Sequence, residues 1–259
     1  MKSKLFFVAL LAILLVSCGP NRAAPEQITI FAAASLTDAF SELAKTFEAQ
    51  HDGVQVVLNF AGSSQLAAQL SEGATADLFA PANKMQMQAV VDAGRIVAGS
   101  ETLFVSNRLT VIVPADNPAG ITALEDLAQP AVQLILAVPG VPVRQYTDEI
   151  VAQMPADFLS QFYANLVSEE DNVRQVAAKI ALGEADAGIV YTSDVTPDLA
   201  SQVLQIAIPE VQNVVASYPI APLADAPSPE LAQAFIDFVL GAEGQSILGK
   251  WGFGPPPNN

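Results

Sequence analysis

Residues 28–47 read ITIFAAASLTDAFSELAKTF. The run ITIFAA (28–33) suits a buried strand, and the three alanines Ala32, Ala33 and Ala34 leave little side chain around its end. Ser35-Leu36-Thr37-Asp38 is then a Ser-x-x-Asp pattern of the kind that opens helices. Leu36, Ala39, Phe40, Leu43 and Phe47 follow at three- and four-residue spacing, which puts them on one face of that helix. A strand feeding directly into an amphipathic helix is half of a βα unit.

The same order recurs along the chain. Strands are predicted at 28–33, 54–60, 109–114, 134–139, 187–191 and 203–208, and helices at 36–50, 64–72, 84–93, 143–154, 172–182 and 229–248. This alternation predicts a mainly parallel α/β sheet. Two further extended runs, 104–113 and 213–223, lie at the ends of a coherent α/β block. If both cross between lobes, the chain forms a two-lobe α/β fold with a two-strand hinge. Lobe one then takes 28–106 and 218–259, lobe two takes 107–217, and a ligand cleft lies between them.

Composition narrows the function. The length of 259 residues is enough for about two domains. Lys and Arg number 11 against 27 Asp and Glu, a formal net charge of −16, which disfavours nucleic acid as a partner. One Cys and one His give almost no material for a Cys/His metal site or a Cys–His catalytic pair. No protein-held metal and no cofactor are expected.

Met1, Lys2 and Lys4 precede the apolar run LFFVALLAILLV (5–16), which is too short to span a bilayer and has the length of a signal-peptide core. Leu15-Val16-Ser17-Cys18-Gly19 resembles the bacterial lipobox, whose cysteine becomes the lipid-modified first residue of the exported protein. Residues 1–17 are therefore expected to be a signal peptide, Cys18 the lipidation site and 18–27 a tether on the outer face of the cytoplasmic membrane.

Four junctions carry the chemistry. Ser35 follows the first strand, Ser63 and Ser64 follow VVLNFAG, Val141-Pro142-Val143 follows LILAVPG, and Asp171-Asn172-Val173 follows LVSEE. The first three directly follow predicted strands, and all four are candidate helix N-termini. Their leading N–H groups lack intrahelical partners, so together they can hold an anion without lysine or arginine. Each serine taken singly is also an ordinary N-cap. Tyr191 closes the strand AGIVY; it is either a core tyrosine satisfied locally or, from its place at a strand's carboxyl end, a donor into the same crevice.

From about residue 27 to 253 the chain resembles the substrate-binding proteins of bacterial ABC importers for molybdate. The segments concerned are FAAASLTDAF (31–40), NFAGSSQLAAQL (59–70), GATADLFAPAN (73–83), DNVRQVAAKIALGEADAGIVYTSD (171–194) and FIDFVLGAEGQSILGKWGF (235–253). The resemblance implies a periplasmic-binding-protein type II fold, expected to act as a monomer, closing over a tetrahedral oxyanion and delivering it to an ABC permease with a cytoplasmic ATPase. It also implies an anion held by Ser35 and Ser63 through hydroxyl and backbone N–H, by the backbone N–H groups of Val143 and Val173, and by the Tyr191 hydroxyl. One departure is Arg144, where the family usually has glycine; it either points to solvent or adds a charge beside the pocket.

Molybdate and tungstate are proton-free dianions, so a site built of donors satisfies them, whereas monohydrogen phosphate carries a proton that such a site leaves unpaired. Sulfate, also proton-free, is the alternative ligand on the same scaffold. The rival of another class is an exported serine hydrolase using Ser63 or Ser64. Against it, GSS lacks the Gly-x-Ser-x-Gly elbow and the only histidine, His51, lies in the polar turn QHDG, where a solvated side chain is expected. A lipid-anchored interaction protein with no small ligand is the third reading.

Overall fold

The computed structural model describes residues 26–257. The signal segment, Cys18 and the tether up to residue 25 lie outside the described residues. Glu26 and Gln27, expected to end the tether, instead begin the first strand.

That strand, β1 (Glu26–Ala33), leads through a single 3-10 turn, Ala34–Leu36, into α1 (Thr37–Gln50). Then come β2 (Val54–Ala61), α2 (Ser63–Ser71), β3 (Leu78–Ala80) and α3 (Lys84–Asp92). The long strand β4 (Thr102–Pro114) enters the second lobe, which continues with β5 (Leu134–Ala137), α4 (Pro142–Val151), α5 (Ala156–Ala164) and β6 (Leu166–Glu170). It is completed by α6 (Val173–Ala181), β7 (Ala187–Tyr191) and β8 (Val203–Ala207). The strand β9 (Val215–Pro222) returns the chain to the first lobe, where α7 (Pro229–Leu240) and α8 (Ala242–Lys250) finish it.

The strand order is β2-β1-β3-β9-β4-β7-β5-β6, with β8 also paired to β4. β4 is the structural divide. Its first half pairs antiparallel with β9, from Thr102 opposite Ile220 to Arg108 opposite Val215. Its second half pairs with β7 and β8, while the far end of β9 pairs with β3. Two antiparallel strands thus join the lobes as the hinge.

This connection corrects the expectation of a mainly parallel sheet. The ladders β1–β2, β1–β3, β5–β6 and β5–β7 are parallel, but every pairing of β4 and β9 is antiparallel. Crossing strands that run opposite to each other cannot both follow the direction of the βα units they join. The fourth junction also follows a strand, β6, which the sequence reading left unassigned.

The helix expected over 229–248 is two helices broken at Gly241, whose backbone is extended. Apolar spacing continued through the break because both pieces bury a face: Ala232, Phe235, Ile236 and Val239 in α7, Ile247 and Leu248 in α8. A Cβ at Gly244 would fall on the backbone carbonyls of Phe238 and Val239, so the tight approach of the two helices requires glycine there.

On α1 the predicted face is the buried one, with Ala39, Phe40, Leu43 and Phe47 all inside. Phe40 packs edge-on to Phe104 of β4 at 5.8 Å between ring centroids, and Phe47 to Phe235 of α7 at 5.2 Å. This aromatic cluster fixes α1 against the hinge and the C-terminal helices, and with it the position of the turn that carries Ser35. Among the described residues no helix is long and apolar enough to cross a membrane.

Candidate ligand-binding site

Each anion-donor candidate is positioned by the end of a strand. Ser35 sits in the 3-10 turn between β1 and α1 and is 2% exposed. Ser63 is the first residue of α2, immediately after the N-cap Gly62, and is also 2% exposed. In the second lobe Pro142 occupies the first helical position of α4, where its missing N–H costs nothing, and Val143 follows it. Asn172 caps α6 by accepting from the N–H groups of Arg174 and Gln175 at 3.0 and 3.1 Å, so the cap leaves the Val173 N–H uncommitted.

All five residues, Ser35, Ser63, Val143, Val173 and Tyr191, line one small cavity between the lobes. Ala33, Ala34, Gly62 and Ala82 supply much of the remaining wall, and the cavity holds about 210 Å³ of atom-free space. Its lining contains no lysine, arginine or carboxylate among the described residues. A larger groove, with about 1220 Å³ of atom-free space by the same measure and flanked by Lys84, Glu101 and Pro257, lies elsewhere. Donor chemistry, rather than size, singles out the smaller cavity.

The hydroxyls are arranged to give rather than take. Ser63 Oγ accepts the Ala82 N–H at 3.0 Å, which leaves its own hydrogen free. Ser35 Oγ lies 3.0 Å from the Tyr218 hydroxyl, and when Tyr218 donates, the serine hydrogen is likewise released. The Tyr191 hydroxyl is buried and has no hydrogen-bond partner, an uncompensated state that costs free energy until a guest accepts from it. Burial pushes the Tyr191 and Tyr218 phenols well above their usual range and Tyr146 up to about 12. They therefore remain protonated donors at neutral pH.

The lobes meet across this cavity. Asn83 Nδ2 donates to Gln145 Oε1 at 2.8 Å, and Gln86 Nε2 donates to the Gly140 carbonyl at 2.9 Å. Gly62 faces the Asp171 carbonyl oxygen of the opposite lobe so closely that any Cβ would collide with it.

Arg144 takes neither of the two expected places. It is 8% exposed and points away from the cavity, pairing with Asp148 at 2.8 Å and Glu169 at 2.5 Å and donating to the Ala137 carbonyl at 3.1 Å. Its guanidinium also lies over the Tyr163 ring. The side chain thus fastens α4 to β5 and β6, and its charge is consumed by two carboxylates. His51 is half-buried rather than solvated: it stacks on Phe47 at 3.9 Å, with Nδ1 2.9 Å from the Phe47 carbonyl. The eight-residue strand β2 separates it from Ser63, about 25 Å at ~3.3 Å per residue, so the two form no nucleophile–base pair.

Residues that the sequence reading missed surround the donors. Tyr218 stands on the hinge strand and touches Tyr191 ring to ring at 5.8 Å. Asp194 is fully buried and accepts the Tyr191 backbone N–H at 3.1 Å. Burial raises its carboxyl to about 6 against the opposing pull of Arg174. The available signal for Tyr218 was one polar atom in the otherwise apolar run YPIAP.

The family model described as bacterial extracellular solute-binding protein matches residues 28–254. The molybdate-binding protein ModA of Mycobacterium tuberculosis (strain ATCC 25618 / H37Rv) is 40% identical over 257 residues, covering 96% of this chain and 95% of that protein. The periplasmic molybdate-binding protein of Azotobacter vinelandii superposes with a TM-score of 0.78 at 19% identity, covering 89% of this chain and 100% of that one. The sulfate-binding protein SubI from Mycobacterium tuberculosis H37Rv gives a TM-score of 0.80 at 22% identity, covering 89% and 87%. The two structures speak to the fold alone, and it is the two-lobe binding-protein fold. With the family model spanning both lobes and the hinge, the chain belongs to the bacterial extracellular solute-binding proteins.

Proposed function

We propose that this protein captures molybdate, or the similar tungstate, outside the cytoplasmic membrane and hands it as a monomer to an ABC permease driven by a cytoplasmic ATPase. The observation that carries the reading is the uncharged donor cavity: hydroxyls and helix-start N–H groups of both lobes line one small space, and the Tyr191 hydroxyl there lacks a partner. Ser35 and Ser63 would hold the anion from one lobe, and Val143, Val173 and Tyr191 from the other, with no cofactor. A dianion that only accepts hydrogen bonds satisfies such a cavity, and a guest bearing its own proton leaves that proton unpaired. The 40% identity to a molybdate-binding protein over almost the whole chain supports molybdate ahead of sulfate. A site that only binds also accounts for Ser63 without a histidine beside it, so no catalytic role is assigned.

Thermal unfolding with molybdate, tungstate, sulfate and phosphate in parallel tests the proposal. An anion at 100 times its Kd should add ~2.7 kcal/mol, roughly 5–10 °C in Tm for a chain of this size. Molybdate and tungstate should give the full shift at the lowest concentrations and phosphate none. A larger shift with phosphate, or none with molybdate, refutes it. Lipidation at Cys18 has its own test: Cys18→Ser should move the exported protein from the membrane fraction to the soluble one, and retention at the membrane would exclude a lipid anchor at this residue.

A further inference from the structure

We propose that Arg174 is a positioning residue that latches the two lobes over the bound guest, with Asp38 as its partner across the cleft. Arg174 follows Val173 in the first turn of α6. Its Nε lies 2.9 Å from Asp194 Oδ1 within the second lobe, and its Nη2 lies 2.7 Å from Asp38 Oδ2 on α1 of the first. The same Nη2 donates to the Ser35 carbonyl at 3.5 Å. The other oxygen of Asp194 accepts the Tyr191 backbone N–H.

One guanidinium therefore touches or adjoins the backbone of three of the five anion-donor candidates: Val173 through the chain, Tyr191 through Asp194, and Ser35 directly. The Asp194 contact joins two elements of one lobe and survives opening. The Asp38 contact joins the lobes and exists only when they are closed. Two carboxylates offset the guanidinium, so the cluster holds the closed state without placing a net positive charge beside the anion. The side chains of Asp38 and Arg174 are 34% and 27% exposed even with the lobes closed, so opening returns Asp38 to water while Arg174 keeps Asp194.

The latch predicts a kinetic phenotype. Asp38→Asn removes the interlobe ion pair, and with it the acidic side chain of the first turn of α1; it should speed release of bound anion about fivefold, the upper range for a partly exposed ion pair. The association rate should stay at its wild-type value, and the Tm should fall more with bound anion than without it, the unliganded loss being the small one expected of a helix-start charge. Arg174→Gln should speed release at least as much, but it also leaves Asp194 buried and unpaired and should lower the unliganded Tm. In the double variant the effect of Asp38→Asn on release should vanish, because its partner is already gone. Release is timed by chasing molybdate-loaded protein with excess tungstate.

The inference rests on the proposed anion site, and a second measurement separates the two. Spin labels, one on each lobe, report the distribution of open and closed forms with and without molybdate. If the wild type binds no molybdate, the ligand proposal fails, and the latch is then judged on the unliganded distribution, which Asp38→Asn should move toward the open form. Wild-type release from Asp38→Asn overturns the latch. So does an unliganded lobe-to-lobe distribution identical to wild type in a protein that binds no molybdate, or an Asp38→Asn loss of Tm equal with and without anion.

Discussion

Gly62→Ala should cost at least a hundredfold in affinity for molybdate and leave the unliganded protein as stable as before. Gly62 follows β2 and caps α2 at φ −58° and ψ 135°, a conformation alanine adopts without strain. Within the first lobe the change is nearly neutral: alanine is a poorer N-cap than glycine, but it also reduces the freedom of the unfolded chain, and the two effects are of similar size, each below about 1 kcal/mol. Across the cleft it is not neutral. The added Cβ would occupy the space of the Asp171 carbonyl oxygen, a backbone atom held by the strand-to-helix junction that also carries Val173. The lobes would have to stop short of closure, displacing one lobe's donors from the anion. Each charge-assisted hydrogen bond lost costs ~1.5–3 kcal/mol, so losing two exceeds a hundredfold. Isothermal calorimetry with molybdate and unfolding without it measure the two halves of the prediction. Near-wild-type affinity in Gly62→Ala would mean that the guest is held without the lobes meeting at this point.

Gly62 also illustrates what could be read from the sequence. The junctions that place Ser35, Ser63 and Val143 were legible because their signals are local: a β-rich run, small residues, then an apolar face at helical spacing; that of Val173 was legible only as a helix start. The hinge was legible as two extended runs, 104–113 and 213–223, at the ends of a coherent α/β block. What stayed hidden depends on contacts between distant residues. The Ser35–Tyr218 hydroxyl pair spans 183 residues, and Arg174 reaches the Ser35 carbonyl across 139. Arg144 was misread because its partner Glu169 lies 25 positions away on another element, so nothing in its own helical turn marked it as buried. β3 has only three residues and lacks enough length to show a period. The direction of β4 and β9 relative to their neighbours is a property of the two-lobe assembly, which no single segment encodes.

Tyr191→Phe should separate binding from stability with effects of opposite sign. The Tyr191 hydroxyl is buried without a hydrogen-bond partner, while its ring packs against Tyr218 and Tyr146 at 5.8 and 6.5 Å. Phenylalanine keeps that ring packing and removes only the oxygen. In the unliganded protein this deletes a desolvated polar group that costs ~1–3 kcal/mol when unpaired, offset in part by the small void left behind. The melting temperature should hold or rise. In the complex the same change removes a neutral donor from a doubly charged guest, worth ~1.5–3 kcal/mol, so the molybdate Kd should rise roughly ten- to hundredfold. Because burial keeps the phenol protonated far above neutrality, the wild-type to variant affinity ratio should stay constant between pH 6 and 8. A lower unliganded Tm with unchanged affinity would assign the hydroxyl to the fold instead of the guest. A fall in both together would mean that the ring, and not the oxygen, had been disturbed.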